Sequence, residues 1–258
     1  MKSSRREFIK KAGLAGIAAM TMAPQIFLAF ASWESTKMSS KNNGLTILFQ
    51  GNSITDGNRS RNNAWNHVMG HGYAYFIVSR LWYDYPDEHL MFYNRGVSGD
   101  KVTDLEKRWK QDTLDLKPDV LSILVGVNDL SAIIDHKTGC NIETYEKVYN
   151  TILERTKSAL ADCFLIFCEP FILPVCWGKD NIRVWQAEVL KTQKIVRKLA
   201  NSFDAVFIEL QRPFNKACQK APADYWIRDG IHPMLAGHEL ISRVWIDEVG
   251  KKLPIIKS

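Results

Sequence analysis

An alternation constrains this chain more than any other feature. Five short apolar runs, at residues 45–50, 90–94, 120–125, 164–169 and 205–209, are separated by longer stretches with helical spacing. Each run is bounded by Gly, Pro, Asn or Asp and stays apolar instead of alternating with polar residues. That is the pattern of parallel strands buried on both faces. Helices are expected over residues 73–82, 101–116 (closed by Pro118), 142–161, 182–202 and 235–249. Strands alternating with helices predict an α/β domain whose parallel sheet is covered on both sides. The chain has 258 residues, 46% of them hydrophobic, enough for one full core. Residues 45–258 are therefore read as one domain.

In open parallel sheets, ligands bind outside the carboxyl ends of the strands. The polar and glycine-rich clusters fall there. Gly51-Asn52-Ser53 follows the first run and Asn94-Arg95-Gly96-Val97-Ser98-Gly99 the second. Gly126-Val127-Asn128-Asp129 follows the third, and Asp229-Gly230-Ile231-His232 stands before the last helix. Together these residues suit acyl transfer. A serine hydroxyl is a weak nucleophile until an adjacent base takes its proton. Ser53 is the candidate nucleophile, His232 the base, and Asp229 the group that orients the imidazole. Candidate donors to an oxyanion are the backbone N–H groups of Ser53 and Gly96 and the side-chain amide of Asn128. Asp56, Ser98 and Asp129 are candidates for supporting hydrogen bonds around them.

These four clusters, in this order, resemble the blocks of the GDSL/SGNH hydrolases, which are named for a catalytic Ser, an oxyanion-hole Gly and Asn, and a catalytic His. The letters fall on Ser53, Gly96, Asn128 and His232, with Asp229 as the third triad member. The resemblance spans nearly all of residues 45–250. It implies a flavodoxin-like three-layer α/β/α sandwich with strand order 2-1-3-4-5, and serine chemistry that needs no cofactor. One position departs from the family pattern: Asn52 stands where the family usually has Asp. Asn is isosteric with Asp but uncharged, and it donates as well as accepts. Since that Asp is not the triad acid, the change is expected to act on loop hydrogen bonds or on the electrostatics around Ser53.

The formal net charge of +6 is concentrated at the N-terminus. There Lys2, Arg5, Arg6, Lys10 and Lys11 stand against Glu7, and without the first 31 residues about +2 remains. No later block of Lys and Arg suits a phosphate-binding surface, so nucleic acid is set aside as a partner. The paired arginines, the apolar run from Ala12 to Phe30 and the small-x-small Ala29-Phe30-Ala31 resemble a twin-arginine signal peptide over residues 1–31. This implies the export machinery as a partner and a periplasmic or secreted location. An uncleaved membrane anchor is the alternative, against which Pro24 and Gln25 interrupt the run. Residues 32–44 read as a polar linker. The five cysteines are odd in number, and buried thiols are expected.

Other residues invite a role. His67 and His71 are four apart, but Asn62, Asn63, Gly70 and Gly72 around them argue for a loop and not a metal-binding helix face. Residues 59–71 are expected to overhang the pocket, with Trp65 and His71 as candidates to meet substrate. Trp177 is a candidate for a second wall. Trp185 and Trp245 are read as core and His238 as structural. The loops after the strands hold Asn, Arg, His and Trp, and no long apolar lid is present. These features favour hydrolysis of a short acyl group, acetyl above all, from a carbohydrate. A lipid or general carboxylesterase is the alternative, and an inactive exported glycan-binding protein is the reading from another class.

Overall fold

Every apolar run forms a strand, within one or two residues of the expected ends. The computed structural model describes residues 44–62, 64–176, 182–253 and 256, which lie in one unit, Lys41–Ser258. The expected signal peptide, the linker apart from Gly44, and Trp177 lie outside the described residues.

In chain order the elements are β1 (Thr46–Gly51), α1 (Ser53–Asp56), α2 (Tyr73–Asp84), β2 (Met91–Asn94), α3 (Val102–Asp112) and β3 (Val120–Leu124). Then come α4 (Val127–Ile134), α5 (Ile142–Ala159), β4 (Phe164–Cys168), α6 (Ile182–Ser202), β5 (Val206–Ile208), α7 (Gln211–Ala217), α8 (Ala223–Trp226) and α9 (Leu235–Gly250). The sheet has the order β2-β1-β3-β4-β5, with every pair parallel. From β1 the chain goes to β2 on one side, then crosses to β3 on the other. This reversal opens a crevice at the carboxyl ends of β1 and β3.

The side chains of β1 alternate between two buried layers. Leu48 joins Leu121, Ile123, Leu165 and Phe167 beneath Leu105 and Trp109 of α3, Tyr149 and Leu153 of α5, and Val196 and Leu199 of α6. On the opposite face Phe49 meets Tyr73 of α2 and Trp245 of α9, with ring centroids 6.0 and 5.8 Å away. A buried indole needs an acceptor for its N–H. Trp109 donates to Thr156 Oγ1 and Trp245 to Ser122 Oγ, each at 3.0 Å. Trp185 packs with Leu130, Ile172 and Val189 in a smaller cluster. Both Trp185 and Trp245 are core residues, as their spacing suggests. None of the five cysteines forms a disulfide.

The edge strand β2 is protected in a way the sequence did not announce. Asn66 donates its backbone N–H to Phe92 O at 2.9 Å, and its Oδ1 accepts the Phe92 N–H at 2.7 Å. One residue therefore supplies the pairing of a missing strand, which blunts an edge open to aggregation. The 59–71 segment, expected only to overhang the pocket, is tied to the sheet at this point.

Candidate active site

Ser53 is presented by a strand-to-helix turn. β1 ends at Gly51, and Asn52 caps α1 by accepting the Ile54 N–H on its Oδ1 at 3.3 Å. Capping needs an acceptor oxygen, which Asn supplies as well as Asp. The departure at Asn52 thus leaves the turn intact, and the side chain is buried within it.

Ser53 Oγ lies 2.8 Å from His232 Nε2, and His232 Nδ1 lies 2.7 Å from Asp229 Oδ2. The two partners come from one closed turn. Arg228 N–H donates to His232 O at 2.8 Å, and Ile227 bridges Pro233 antiparallel. Asp229 Oδ1 accepts the backbone N–H groups of Ile231 and His232 at 3.1 and 2.9 Å. Burial pushes the Asp229 carboxyl upward, but these amides and the His232 ring outweigh it and leave it lowered to about 2. The carboxylate is ionised and fixed, and it faces the nitrogen whose proton it would hold. This arrangement can pass the serine proton to the imidazole and stabilise the imidazolium that forms.

The donors for an oxyanion need one correction. Gly96 was expected to offer its N–H, but that group is taken by Asn94 Oδ1 at 2.9 Å. The Asn94 side chain is locked in turn, its Nδ2 donating to Thr55 O and Met69 O at 2.6 and 2.9 Å. Gly96 is glycine for another reason. A Cβ there would sit 2.4 Å from Asp56 N and 2.8 Å from Thr55 C, inside the backbone of α1. The next amides are also engaged: Val97 N–H with Gly51 O, Ser98 N–H with Asp56 Oδ2, and Asp100 N–H with Val97 O. Among the described residues the Gly99 N–H has no acceptor. Gly99 is exposed, at φ +89°, with open space where a Cβ would stand. Beside it, Asn128 Nδ2 donates to Asp100 O at 3.0 Å and keeps its second hydrogen for another acceptor. The candidate donors are therefore the Ser53 and Gly99 amides and Asn128 Nδ2. Gly96→Ala is expected to cost about 1–3 kcal/mol by overpacking α1. A thermal melt checks this; an unchanged midpoint would mean that α1 can move aside freely.

Asp56 is fully buried and joins α1 to the loop after β2. Its carboxylate accepts Ser98 N–H at 2.9 Å, Ser98 Oγ–H at 2.8 Å and Arg61 Nη2 at 2.6 Å. Burial raises its pKa, but bonds from Arg61 and Ser98 leave it lowered. Asp129 does the same from the first turn of α4, accepting the Val102 N–H at 3.0 Å at the start of α3. Its deeper burial dominates and pushes the carboxyl up to about 7. Asn128 and Asp129 thus hold both ends of the 100–102 segment. His238 Nδ1 accepts the Tyr73 N–H at 3.1 Å, and burial, with His71 and His232 nearby, lowers its pKa to about 4. It is a neutral structural ring. Trp65 and His71 are exposed, with no side-chain hydrogen bond among the described residues that ties either one to the triad.

Residues 49–240 match the GDSL-like lipase/acylhydrolase family, so the chain belongs to that family and is a carboxylic ester hydrolase. A protein described as a GDSL-like lipase from Parabacteroides merdae is 37% identical, with a TM-score of 0.76 over 81% of this chain and 97% of its own. An acetylxylan esterase from Geobacillus stearothermophilus is 28% identical over 213 residues, 80% of this chain and 94% of that one. The solved structure of the acetylxylan esterase Axe2 from that organism superposes with a TM-score of 0.70, covering 81% and 95%. Catalytic mutants of Axe2 replace a serine, an aspartate and a histidine. In Axe2 the serine and histidine are 179 residues apart and the aspartate is three before the histidine, the same intervals as here. The residue just before that aspartate is tryptophan in Axe2, whereas here it is Arg228.

Proposed function

We propose that this protein removes acetyl groups from a carbohydrate through a Ser53–His232–Asp229 triad. The observation that carries the proposal is the unbroken relay of 2.8 and 2.7 Å contacts from Ser53 Oγ through the imidazole to Asp229. His232 Nε2 takes the hydroxyl proton as Ser53 Oγ attacks the acyl carbon. The oxyanion that forms is met by the Ser53 and Gly99 amides and by Asn128 Nδ2. Collapse breaks the ester bond, and His232 returns its proton to the departing sugar hydroxyl. Water, activated by the same imidazole, then releases acetate and restores Ser53. The identical triad spacing in Axe2 and that protein's action on acetylated xylan support both the residue roles and the substrate class. The paired arginines Arg5 and Arg6 and the apolar run behind them support export, where polysaccharide fragments are met.

A lipid or general carboxylesterase is the second reading, favoured by Met234 and Leu235, which stand exposed two and three residues after His232. A p-nitrophenyl ester series from acetate to octanoate separates the two. Rates highest on acetate, dependent on Ser53 and falling with chain length, are expected of the acetylesterase. A preference for octanoate would move the reading to lipid esters. An inactive glycan-binding protein would turn over none of the series and leave Ser53 unlabelled by a fluorophosphonate.

A further inference from the structure

We propose that Arg228 recognises a carboxylate on the alcohol part of the ester, so that the substrate is an acylated acidic glycan bearing a uronic-acid-type sugar. The proposal rests on the esterase reading above and narrows it. Arg228 belongs to the turn that carries Asp229 and His232, and its backbone is held on both sides. Its N–H donates to His232 O, its carbonyl accepts from Cys176 Sγ at 3.4 Å, and Met234 N–H closes the turn onto Trp226 O. The base of this side chain is therefore fixed relative to the triad. The side chain itself is 69% exposed and touches Asp229 Oδ2 through Nη2 at 3.1 Å.

That contact does not account for an arginine. Asp229 already accepts two amides and the His232 ring, and an ion pair this exposed contributes little. What the contact does is pin one corner of a planar fork. A guanidinium has five N–H donors, and the others here have no acceptor among the described residues. A fork pinned at one corner and open at the other is suited to a bidentate carboxylate, with less ordering entropy to lose on binding. The acid that stands against the guanidinium is Asp229, whose charge is shared among the Ile231 and His232 amides, the His232 ring and one Arg228 nitrogen. In Axe2, an esterase of acetylated xylan, the corresponding place holds an uncharged tryptophan.

The test compares kcat/KM of the full chain on O-acetylated xylobiose, on the same acetylated sugar joined to glucuronic acid, and on p-nitrophenyl acetate. The acidic disaccharide is expected to be preferred over the neutral one about tenfold, mainly through KM, and the preference should shrink at about 0.5 M NaCl. Arg228→Gln should bring the ratio close to one. Arg228→Lys, which keeps the charge without the fork, should leave it intermediate. Equal kcat/KM on both disaccharides in the native protein, or a ratio unchanged by Arg228→Gln, overturns the proposal while p-nitrophenyl acetate is still cleaved. Failure to cleave any of the three overturns the esterase reading and this proposal with it.

Discussion

Replacing Ser53 by alanine is expected to lower kcat on p-nitrophenyl acetate by about 10⁶ while the protein stays folded. The expectation follows from how little else the side chain does. Ser53 is half-buried at the first position of a four-residue helix, and its Oγ has one described hydrogen bond, to His232 Nε2. The helix is capped by Asn52 and tied down by Asp56, so neither support passes through the hydroxyl. His232→Ala should cost about as much, because a serine without its base is no better a nucleophile than water. The double variant should be no slower than either single one, since nucleophile and base act as one unit. Kinetics on the three variants, with circular dichroism as the check on folding, decides the matter. Losses that multiply in the double variant, or a Ser53→Ala protein that keeps even a hundredth of the activity, would contradict the assigned roles.

Much of this fold was legible because a doubly covered parallel sheet leaves a strong mark. Runs such as Thr46–Gly51 and Val120–Leu124 are buried on both faces, so apolar residues fill successive positions instead of alternate ones and the run stands out. The long helices were legible through their one apolar stripe. The short ones were not. α4 is eight residues and α7 seven, about two turns each, too few for a 3.6-residue period to declare itself. The pairing of Asn66 with Phe92 was also invisible, because it depends on a loop reaching an edge strand 26 positions away.

The site divides in the same way. Ser53, Asn128, Asp229 and His232 could be placed from the sequence because each follows a recognisable strand end or precedes the last helix. Which glycine of the loop keeps a free amide could not be read from the sequence. Gly96 and Gly99 are three residues apart in one loop, and both are plausible on composition. The difference between them is made by Asn94, whose side chain turns back to occupy the Gly96 amide and hold Thr55 and Met69. No period or spacing records where an asparagine side chain will turn. Burial distinguishes the glycines afterwards: Gly96 is pressed against α1, whereas Gly99 faces open space.

Asp229→Asn is expected to lower kcat by about 10⁴ with little change in fold, and the reason lies in which oxygen does what. Oδ1 accepts the Ile231 and His232 amides, a task the carbonyl of asparagine can keep, so the turn survives. Oδ2 faces His232 Nδ1, and there an NH2 group would replace an acceptor. Two donors cannot share that contact. The ring would shift its proton to Nε2, the nitrogen that must be free to take the Ser53 proton. The same substitution makes a prediction about acid. In the native protein the Asp229 carboxyl is lowered from 3.8 to about 2, burial opposing and the His232 and Ile231 hydrogen bonds prevailing. Because the folded value lies below the unfolded one, its stabilisation is complete above about pH 4 and is lost as pH falls towards about 2. The substituted amide does not titrate, so the variant should lose less stability than the native protein over that interval. Paired urea melts at about pH 4 and pH 2, alongside kcat at neutral pH, test both halves. A variant that kept near-native kcat would remove Asp229 from the relay. An equal acid loss in both proteins would show that folding does not hold the Asp229 carboxyl below its ordinary value.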